Sequence, residues 1–255
     1  MPTKRRREST TGIYHVMVKG INNEKIFNQS REKTYFKAII LKHLKEQKVE
    51  IYSYCFMSNH AHFIIGADIQ LLASFMASIL SEYAMYYNYK HHRNGHVFQN
   101  RYRSECINDE RYFWTCIRYI HLNPVKANMI KYPERYKYSS MSEYLSGEPE
   151  LIHAKAVSLY QKRFPDADAF REFHKQREIA AILDTEEDLT WQQRDMAVLI
   201  AEDLGHEKEL PFLNQVFEEK QIQEEYIDRL REILGVSRQK AGRLCTAARQ
   251  EMEEK

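Results

Sequence analysis

Two histidines and a distant tyrosine are the residues of this sequence whose types and spacing could carry chemistry. His60 and His62 begin a β-favouring stretch, and residues two apart on a strand project to the same side, so the two imidazoles can share one cation. Tyr119 and Asn123 are four apart and share one helix face, where Asn123 could add an oxygen ligand while Tyr119 points at the same cation. A lone His-x-His is common, and a tyrosine in such a helix is often a partly buried aromatic. The spacing alone leaves both readings open.

Charge and aromatic residues concentrate in the first part of the chain. Residues 1–150 hold 22 Lys plus Arg against 14 Asp plus Glu, a net charge of +8, whereas the remaining 105 residues carry −6. The first part also has 15 of the 17 tyrosines and eight of the 11 histidines. Phosphates attract cations and unstacked bases need flat partners, so this composition favours binding to single-stranded nucleic acid.

Other bulk properties exclude several classes of protein. The longest apolar runs are far shorter than the roughly 20 residues of a membrane span, so no membrane partner is expected. No apolar stretch follows the basic N-terminus, which argues against a secretory signal and favours a cytoplasmic location. The four cysteines form no C-x-x-C pair, which disfavours a zinc ribbon and a disulfide framework.

The periodicity of the first part predicts the element order β-α-β-β-α-β, followed by a further helix. We expect strands at 13–18, 49–57 and 61–65, a fourth strand within 95–107, and helices from a Ser30 cap to about 47, over 70–90, and from Asn108-Asp109 to about Asn123. Pro124 should end the last helix, because proline disfavours helical geometry at the residue before it. This order predicts a ferredoxin-like α+β domain, a split β-α-β with an antiparallel sheet, helices on one face and the other face open.

A change of composition near Glu150 predicts a domain boundary. Residues 1–149 would form the domain that carries His60, His62 and Tyr119, and residues 150–255 an acidic, all-helical C-terminal domain. Near 226–248, an amphipathic helix, the turn Gly235-Val236-Ser237 and a basic helix are similar to a helix-turn-helix that binds a major groove. A plain helical hairpin explains the same pattern.

Four linked segments make the sequence recognisable. The chain resembles the single-tyrosine HUH transposases, most closely the REP-associated tyrosine transposases of the insertion-sequence type, over about residues 10–146. The matching segments are Tyr14-His15-Val16, Phe56-Met57-Ser58-Asn59-His60-Ala61-His62-Phe63, Gly95-His96-Val97-Phe98-Gln99-Asn100-Arg101-Tyr102 and Arg118-Tyr119-Ile120-His121-Leu122-Asn123-Pro124-Val125-Lys126-Ala127.

The resemblance implies a metal-dependent endonuclease and strand transferase that cuts single-stranded DNA beside hairpins. His60 and His62 would coordinate Mg²⁺ or Mn²⁺, Asn123 would stand where the family has a polar third ligand, and Tyr119 would be the nucleophile that becomes linked to the DNA 5′ end. A base must help to deprotonate the tyrosine, and His121 and His15 are candidates, although a structural role suits each of them better.

The same resemblance assigns DNA contacts to a set of basic and polar residues: Arg5, Arg6, Arg7, Gln99, Asn100, Arg101, Tyr102, Arg103, Arg118 and Lys126. The partner would be single-stranded or hairpin DNA, bound by a monomer or a homodimer. An alternative is a regulator of the same fold that binds hairpin DNA or RNA without cutting it. A replication or conjugation initiator fits less well, since those chains are longer, and a hydrolytic zinc enzyme would need a third His or Cys ligand.

Overall fold

The protein is described by a computed structural model that covers residues 6–176, 182 and 186–253. The chain divides into two compact units, Met1–Gln176 and Arg177–Lys255. The predicted α+β class, with a helical C-terminal region, is confirmed. Within the described ranges, no helix has both the length and the apolar character that a membrane span requires.

A four-stranded antiparallel sheet forms the centre of the first unit. Its strands are β1 (Ile13–Lys19), β2 (Glu50–Phe56), β3 (His60–Gly66) and β4 (Arg103–Ile107), in the order β2-β3-β1-β4. The tight connection between β2 and β3 is closed by the Met57 N–H, which donates to the His60 carbonyl over 2.9 Å. Val97 and Phe98, expected near the fourth strand, lie outside β4, and Phe98 forms only an isolated bridge with Gly20.

Two helices cover one face of the sheet. They are α1 (Ser30–Leu44) and α2 (Ile69–Lys90). Phe36 of α1 lies against Phe63 of β3 and Tyr83 of α2, with ring centroids 6.2 and 4.9 Å away, so aromatic rings fill this core. Ser30 was expected to cap α1, but Gln29 takes the N-cap position and its N–H donates to the Glu32 carboxylate over 2.8 Å.

A third helix, α3 (Glu110–Lys126), lies on the opposite face of the sheet, which was expected to be open. Ile117 and Ile120 are fully buried, so apolar residues of α3 cover that face. The helix also passes through Pro124 rather than ending before it. Proline in the last turn loses only its own N–H bond, and the next bonds are kept, because Ala127 donates to the Asn123 carbonyl over 3.0 Å.

Three more helices belong to the first unit: α4 (Met141–Ser146), α5 (Ala154–Arg163) and α6 (Ala167–Lys175). The His153 N–H donates to the Ile51 carbonyl of β2 over 2.7 Å, and Phe164 lies against Trp114 of α3 with centroids 5.1 Å apart. The unit therefore extends to Gln176, whereas composition placed the boundary after residue 149. The acidic, helix-favouring sequence begins before the structural boundary, so charge does not mark where the packing changes.

The second unit is helical and has its own core. Its helices are α7 (Glu186–Glu207), α8 (Gln215–Glu218), α9 (Lys220–Leu234) and α10 (Arg238–Glu253). Tyr226 of α9 is fully buried, and its hydroxyl donates to the Ala197 carbonyl over 2.7 Å. Gly235, with φ +61°, makes the turn into α10. The two expected helices are thus present; binding of a major groove by α10 stays a prediction.

Candidate active site

Strand β3 sets both histidines on the face that α3 covers. His62 pairs with Met17 of β1 and Cys55 of β2, so it lies in the middle of the sheet, and His60 lies at the start of the strand. The two rings are 4.9 Å apart at an interplanar angle of 88°, and the residues are 4% and 0% exposed. The predicted pairing of the two imidazoles on one face is therefore present.

Each imidazole is oriented through its Nδ1 atom. His60 Nδ1 lies 2.7 Å from the Asn59 side-chain oxygen, and His62 Nδ1 lies 3.0 Å from His15 Nε2. Because Nδ1 of each ring is occupied by this contact, Nε2 is the nitrogen that each ring would present to a cation. Such contacts fix the tautomer and the orientation of a histidine ligand. Burial and the neighbouring His62 hold the pKa of His15 well below its usual value, so this residue is neutral.

Tyr119 of α3 packs against His62 and His15 on the sheet face that α3 covers. Its ring centroid lies 5.7 Å from that of His62 and 6.4 Å from that of His15, at steep angles. Lys126 Nζ lies 4.5 Å from the centre of the same ring. Tyr119 is only 5% exposed, which is also what a core aromatic would show. Its neighbours distinguish it, because two imidazoles and an ammonium group are not an apolar core.

Asn123 lies one turn after Tyr119 on the same face of α3 and is 3% exposed. Its side-chain nitrogen is buried and has no hydrogen-bond partner among the described residues. An amide in that position fits a ligand whose oxygen faces a cation, since the two ends of an amide are interchangeable in such assignments. No group of three His, Cys, Asp or Glu side chains suited to a metal occurs in the described part of the chain. A cation on the two imidazoles would thus use Asn123 or oxygens from outside the protein.

His121 does not join this cluster. Its Nδ1 lies 2.9 Å from His174 Nε2, and its Nε2 lies 2.8 Å from the Ser140 hydroxyl, within a fully buried network. Burial and His174 keep the pKa of His121 well below its usual value. Of the two candidate bases, only His15 contacts the histidine pair, and it does so as a hydrogen-bond partner of His62.

The residues expected to contact DNA fall into several groups. Those with exposed side chains are Arg7, Gln99, Asn100, Arg101 and Arg103. Lys126 is half-buried beside Tyr119, Arg6 is stacked over the Tyr102 ring, and Tyr102 itself is buried. Arg5 lies outside the described residues.

Arg118 was expected to contact DNA, and the structure contradicts this. The side chain is 5% exposed, and its guanidinium lies 4.7 Å from the centre of the Phe173 ring and donates to the Phe173 carbonyl. An arginine enclosed by α6 cannot reach a phosphate in solvent. It joins α3 to α6 instead.

Sequence reasoning did not assign a role to Asn59 and gave His15 no contact. Asn59 precedes His60 directly, so its proximity was readable from the sequence. The contact of His15 required the register of β1 on β3, in which Met17 is opposite His62 and His15 is its diagonal neighbour on the same face.

Comparison with known proteins finds a matching family model and a similar solved structure. A model of the IS200-like transposases matches residues 8–123. Among solved structures, the chain is similar to a REP-associated tyrosine transposase bound to a REP hairpin, with 18% identity, a TM-score of 0.49, and coverage of 62% of this chain and 93% of that one. No curated protein matches the chain.

Proposed function

We propose that the chain, whose residues 8–123 match the model of the IS200-like transposases, is a metal-dependent endonuclease and strand transferase for single-stranded DNA beside hairpins. Tyr119 is the nucleophile, and the reaction passes through a 5′-phosphotyrosine link. Transposition in this proposal consists of two such transfers, one that cuts a strand and one that rejoins it.

One observation carries the proposal. Tyr119, from α3, lies against His62, from β3, although the two residues are 57 positions apart in the sequence. His62 is one of the two candidate metal ligands, and its ring lies 4.9 Å from that of His60. The contact therefore puts a phenol, which can act as a nucleophile, beside a candidate metal ligand.

The bond changes follow from the nucleophile. The Tyr119 oxygen attacks phosphorus, the bond from phosphorus to the 3′ oxygen breaks, and a proton passes to that oxygen to give a 3′ hydroxyl. The phenolic proton leaves the tyrosine, and the DNA 5′ phosphate becomes a tyrosyl ester. Because one phosphate ester replaces another, a 3′ hydroxyl can reverse the reaction and join the strand to a new end.

The other residues of the cluster bind and orient. His60 and His62, with Asn123, would hold Mg²⁺ or Mn²⁺, which supplies positive charge to the scissile phosphate. Asn59 and His15 hold the two ligand rings in position. Lys126 lies over the Tyr119 ring, and its flexible side chain can turn to a phosphate and so uncover the nucleophile.

The proposal is tested by covalent capture. The probe is a library of labelled DNA hairpins with randomised unpaired flanks, incubated with the full chain and Mg²⁺ or Mn²⁺. We expect a labelled protein–DNA adduct that is stable to denaturation, absent with EDTA, and absent from Tyr119→Phe and His60→Ala. Tyr132→Phe, which changes an exposed tyrosine outside the cluster, is the matched control and should form the adduct normally.

An adduct formed by Tyr119→Phe would remove Tyr119 from the mechanism. Binding of the hairpins without any adduct under either metal would favour a regulator that binds without cutting.

A further inference from the structure

The second unit ends in two helices joined by a short turn, and the proposed function does not use them. The turn Gly235-Val236-Ser237 connects α9 to α10, and roughly three or four residues, one of them often glycine, are usual for a helix-turn-helix. Ser237 caps α10, because its hydroxyl accepts the Lys240 N–H over 3.3 Å and its carbonyl accepts the Ala241 N–H over 2.9 Å. Helix α10 thus follows the turn as the recognition helix does in DNA-binding proteins of this type.

One face of α10 packs in the core of the second unit. Ala241, Leu244, Cys245 and Ala248 are buried, and they share this core with Leu230 of α9. They are three or four residues apart, or adjacent, so they form a single helix face. This packing fixes which face of α10 is turned away from the core.

The face of α10 that is turned away from the core is polar. Gln239, Arg243, Thr246 and Gln250 follow one another at intervals of four, three and four residues, and all four are exposed. At about 100° per residue they form one line, the α10 stripe, opposite the buried face. Arginine and glutamine can read guanine and adenine through paired hydrogen bonds, and a threonine methyl can contact thymine. The α10 stripe therefore has the side chains that read base edges.

The cations of α10 differ from those of α9. Arg238, Lys240 and Arg243 are exposed, and none of them forms an ion pair with a described residue. On α9, by contrast, Arg229 and Arg231 are both bound to carboxylates. Cations that the fold does not neutralise can contact phosphates instead.

The distribution of charge shows which side of the unit suits a polyanion. Residues 238–250 contain four Lys or Arg and no Asp or Glu, although the C-terminal region as a whole is acidic. On α9, the exposed residues Glu224, Asp228 and Glu232 form an acidic line. A nucleic acid is attracted by the first surface and repelled by the second. The major groove of B-DNA, about 12 Å wide, admits an α-helix, whereas that of duplex RNA is too narrow for side chains to read, so α10 is suited to DNA.

Gly242 provides an independent sign of a close contact. It lies inside α10, where glycine is less favourable than alanine. Beyond its own turn of helix, no described atom lies within 4 Å of the position that a Cβ would take there, so packing within the protein does not require a glycine. Glycine is typical of positions where a backbone closely approaches a ligand. The missing side chain beside Arg243 lets a DNA strand approach the helix.

We propose that the second unit binds double-stranded DNA in a sequence-specific manner, with α10 in the major groove. The α10 stripe contacts base edges, and Arg238 and Lys240, which flank the stripe on its two sides, contact phosphates. This function goes beyond the proposed one, because it uses another unit, needs no metal and reads an intact duplex. It would select the duplex sites to which the chain binds.

The experiment selects duplexes with the full chain in EDTA, so that no metal-dependent cutting interferes. The probe is a library of blunt DNA duplexes with a randomised central segment and no unpaired nucleotides. The selected duplex is then compared with a scrambled duplex, with its own separated strands and with an RNA duplex of the same sequence. Arg243→Ala removes a base contact, Lys240→Ala removes a phosphate contact, and Gly242→Leu fills the space beside the stripe. Arg231→Ala, which removes the same charge from the exposed side of α9, is the matched control.

We expect the wild-type chain to prefer the selected duplex to the scrambled one by about tenfold or more. Arg243→Ala should lose most of this preference. Lys240→Ala should weaken binding to both duplexes about equally and lower the slope of log affinity against log salt by about 0.9. Gly242→Leu should bind about tenfold more weakly although it melts at the wild-type temperature, because a Cβ there meets only open space in the folded chain. Arg231→Ala should behave as wild type.

Three results would overturn the inference. The first is that no duplex is enriched, and the second is that Arg243→Ala and Arg231→Ala bind the selected duplex equally well. The third is tighter binding to the RNA duplex or to the separated strands than to the DNA duplex, which would assign the surface of α10 to another nucleic acid.

Failure of this inference and failure of the proposed function are distinguishable. Arg243→Ala should still form the hairpin adduct through Tyr119, since base contacts of the second unit take no part in cutting. If the adduct forms but no duplex is enriched, only the inference on α10 is lost. If a duplex is enriched and Arg243→Ala loses it, but no adduct forms, only the cutting reaction is lost.

Discussion

His15 contacts one of the two candidate metal ligands. Its Nε2 lies 3.0 Å from His62 Nδ1, and it is fully buried and neutral. If His62 presents Nε2 to a cation, then His62 Nδ1 carries the proton and donates it to His15. The contact therefore selects the tautomer that can bind a metal.

We predict that His15→Ala raises the Mn²⁺ concentration needed for half-maximal cutting by about 10–100-fold, the usual effect of removing such a partner. His15→Gln, which can accept a hydrogen bond, should recover part of the loss. His43→Ala is the control, because His43 bonds to Glu82 on α2 and is remote from the cluster. An unchanged Mn²⁺ titration for His15→Ala would show that the contact has no part in metal binding.

Two arginines that look alike in the sequence should behave differently. Arg101 is exposed, whereas Arg118 is enclosed by Phe173. Removing one phosphate contact from a single strand reduces the slope of log affinity against log salt by about 0.7. We predict this reduction for Arg101→Ala and no change of slope for Arg118→Ala, which should lower the thermal stability of the chain instead. Fluorescence anisotropy across a salt series and thermal melts provide the two measurements, and a reduced slope for Arg118→Ala would contradict its structural role.

At this scale the sequence predicted the proximity of side chains better than their exposure. His60, His62 and Tyr119 were singled out by their types and spacings, and the ring of His62 lies beside those of both other residues. Arg118 was misplaced because a basic residue next to a catalytic motif has the same pattern whether it faces solvent or another helix. Only the packing of α6 on α3 distinguishes these cases.

Helices α3 and α6 are joined by a buried network with a defined order of hydrogen bonds. His174 Nδ1–H donates to the Phe170 carbonyl over 2.7 Å, so its Nε2 must accept from His121 Nδ1–H. His121 Nε2 then accepts from the Ser140 hydroxyl. Both imidazoles are neutral in this arrangement, and burial lowers the pKa of His174 to about 4.

The network predicts a loss of stability in acid. The pKa of His174 is lower in the folded protein than in the unfolded chain, so the unfolded chain takes up the proton first as the pH falls. The contribution of neutral His174 to stability is therefore complete above about pH 6.5 and is lost as the pH falls toward 4. His174 alone should account for about 1.4 kcal/mol per pH unit in that window. Urea unfolding of a Trp191→Phe chain, in which Trp114 alone reports on the first unit, measures the free energy of unfolding between pH 7 and 4.

In the same chain, His174→Phe should lower the free energy of unfolding at pH 7 by about 1–3 kcal/mol, because the His121 Nδ1–H loses its acceptor. It should also make the decline in acid shallower. His206→Phe, at an exposed position, is the control for both effects. A pH dependence in His174→Phe as steep as in wild type would show that His174 does not take up the proton.

The elements themselves were largely predictable, and their ends were less so. The strand and helix order followed from periodicity, and Asp68 and Asp109 cap α2 and α3 through their side chains. Pro124 was misread because a proline near a helix end costs only one backbone bond, which the packing of Ile117 and Ile120 offsets. The face covered by α3 could not be read from element order, because that order does not specify where the last helix packs.

The first unit should be an independent folding unit that ends at Gln176. Tyr144 is fully buried and contacts the Tyr160 and Phe170 rings, so α5 and α6 complete a core that begins in the sheet. We predict that residues 1–176 unfold cooperatively on their own, whereas residues 1–149 do not. Circular dichroism melts of the two fragments test this, and a cooperative melt of 1–149 would restore the boundary that composition suggested.

The boundary was misplaced because composition reports on solvent and partners rather than on packing. Helix α5 carries charged residues on its exposed side, yet Ala156 and Tyr160 face the core. The charge asymmetry thus indicated correctly that the two regions differ. Helix α5, however, adds its charged residues to the net charge of the C-terminal region, whereas its apolar face packs in the first unit.

The distribution of the active-site residues along the chain has a consequence during synthesis. The site requires β1, β3 and α3, and α3 is held by His174 of α6, so residues spread over most of the first unit must be present before it forms. Contacts of such long sequence separation form late in folding. If the chain cuts DNA as proposed, a nascent chain on the ribosome should be unable to nick DNA until α6 has emerged, and an unfinished chain should have no nuclease activity.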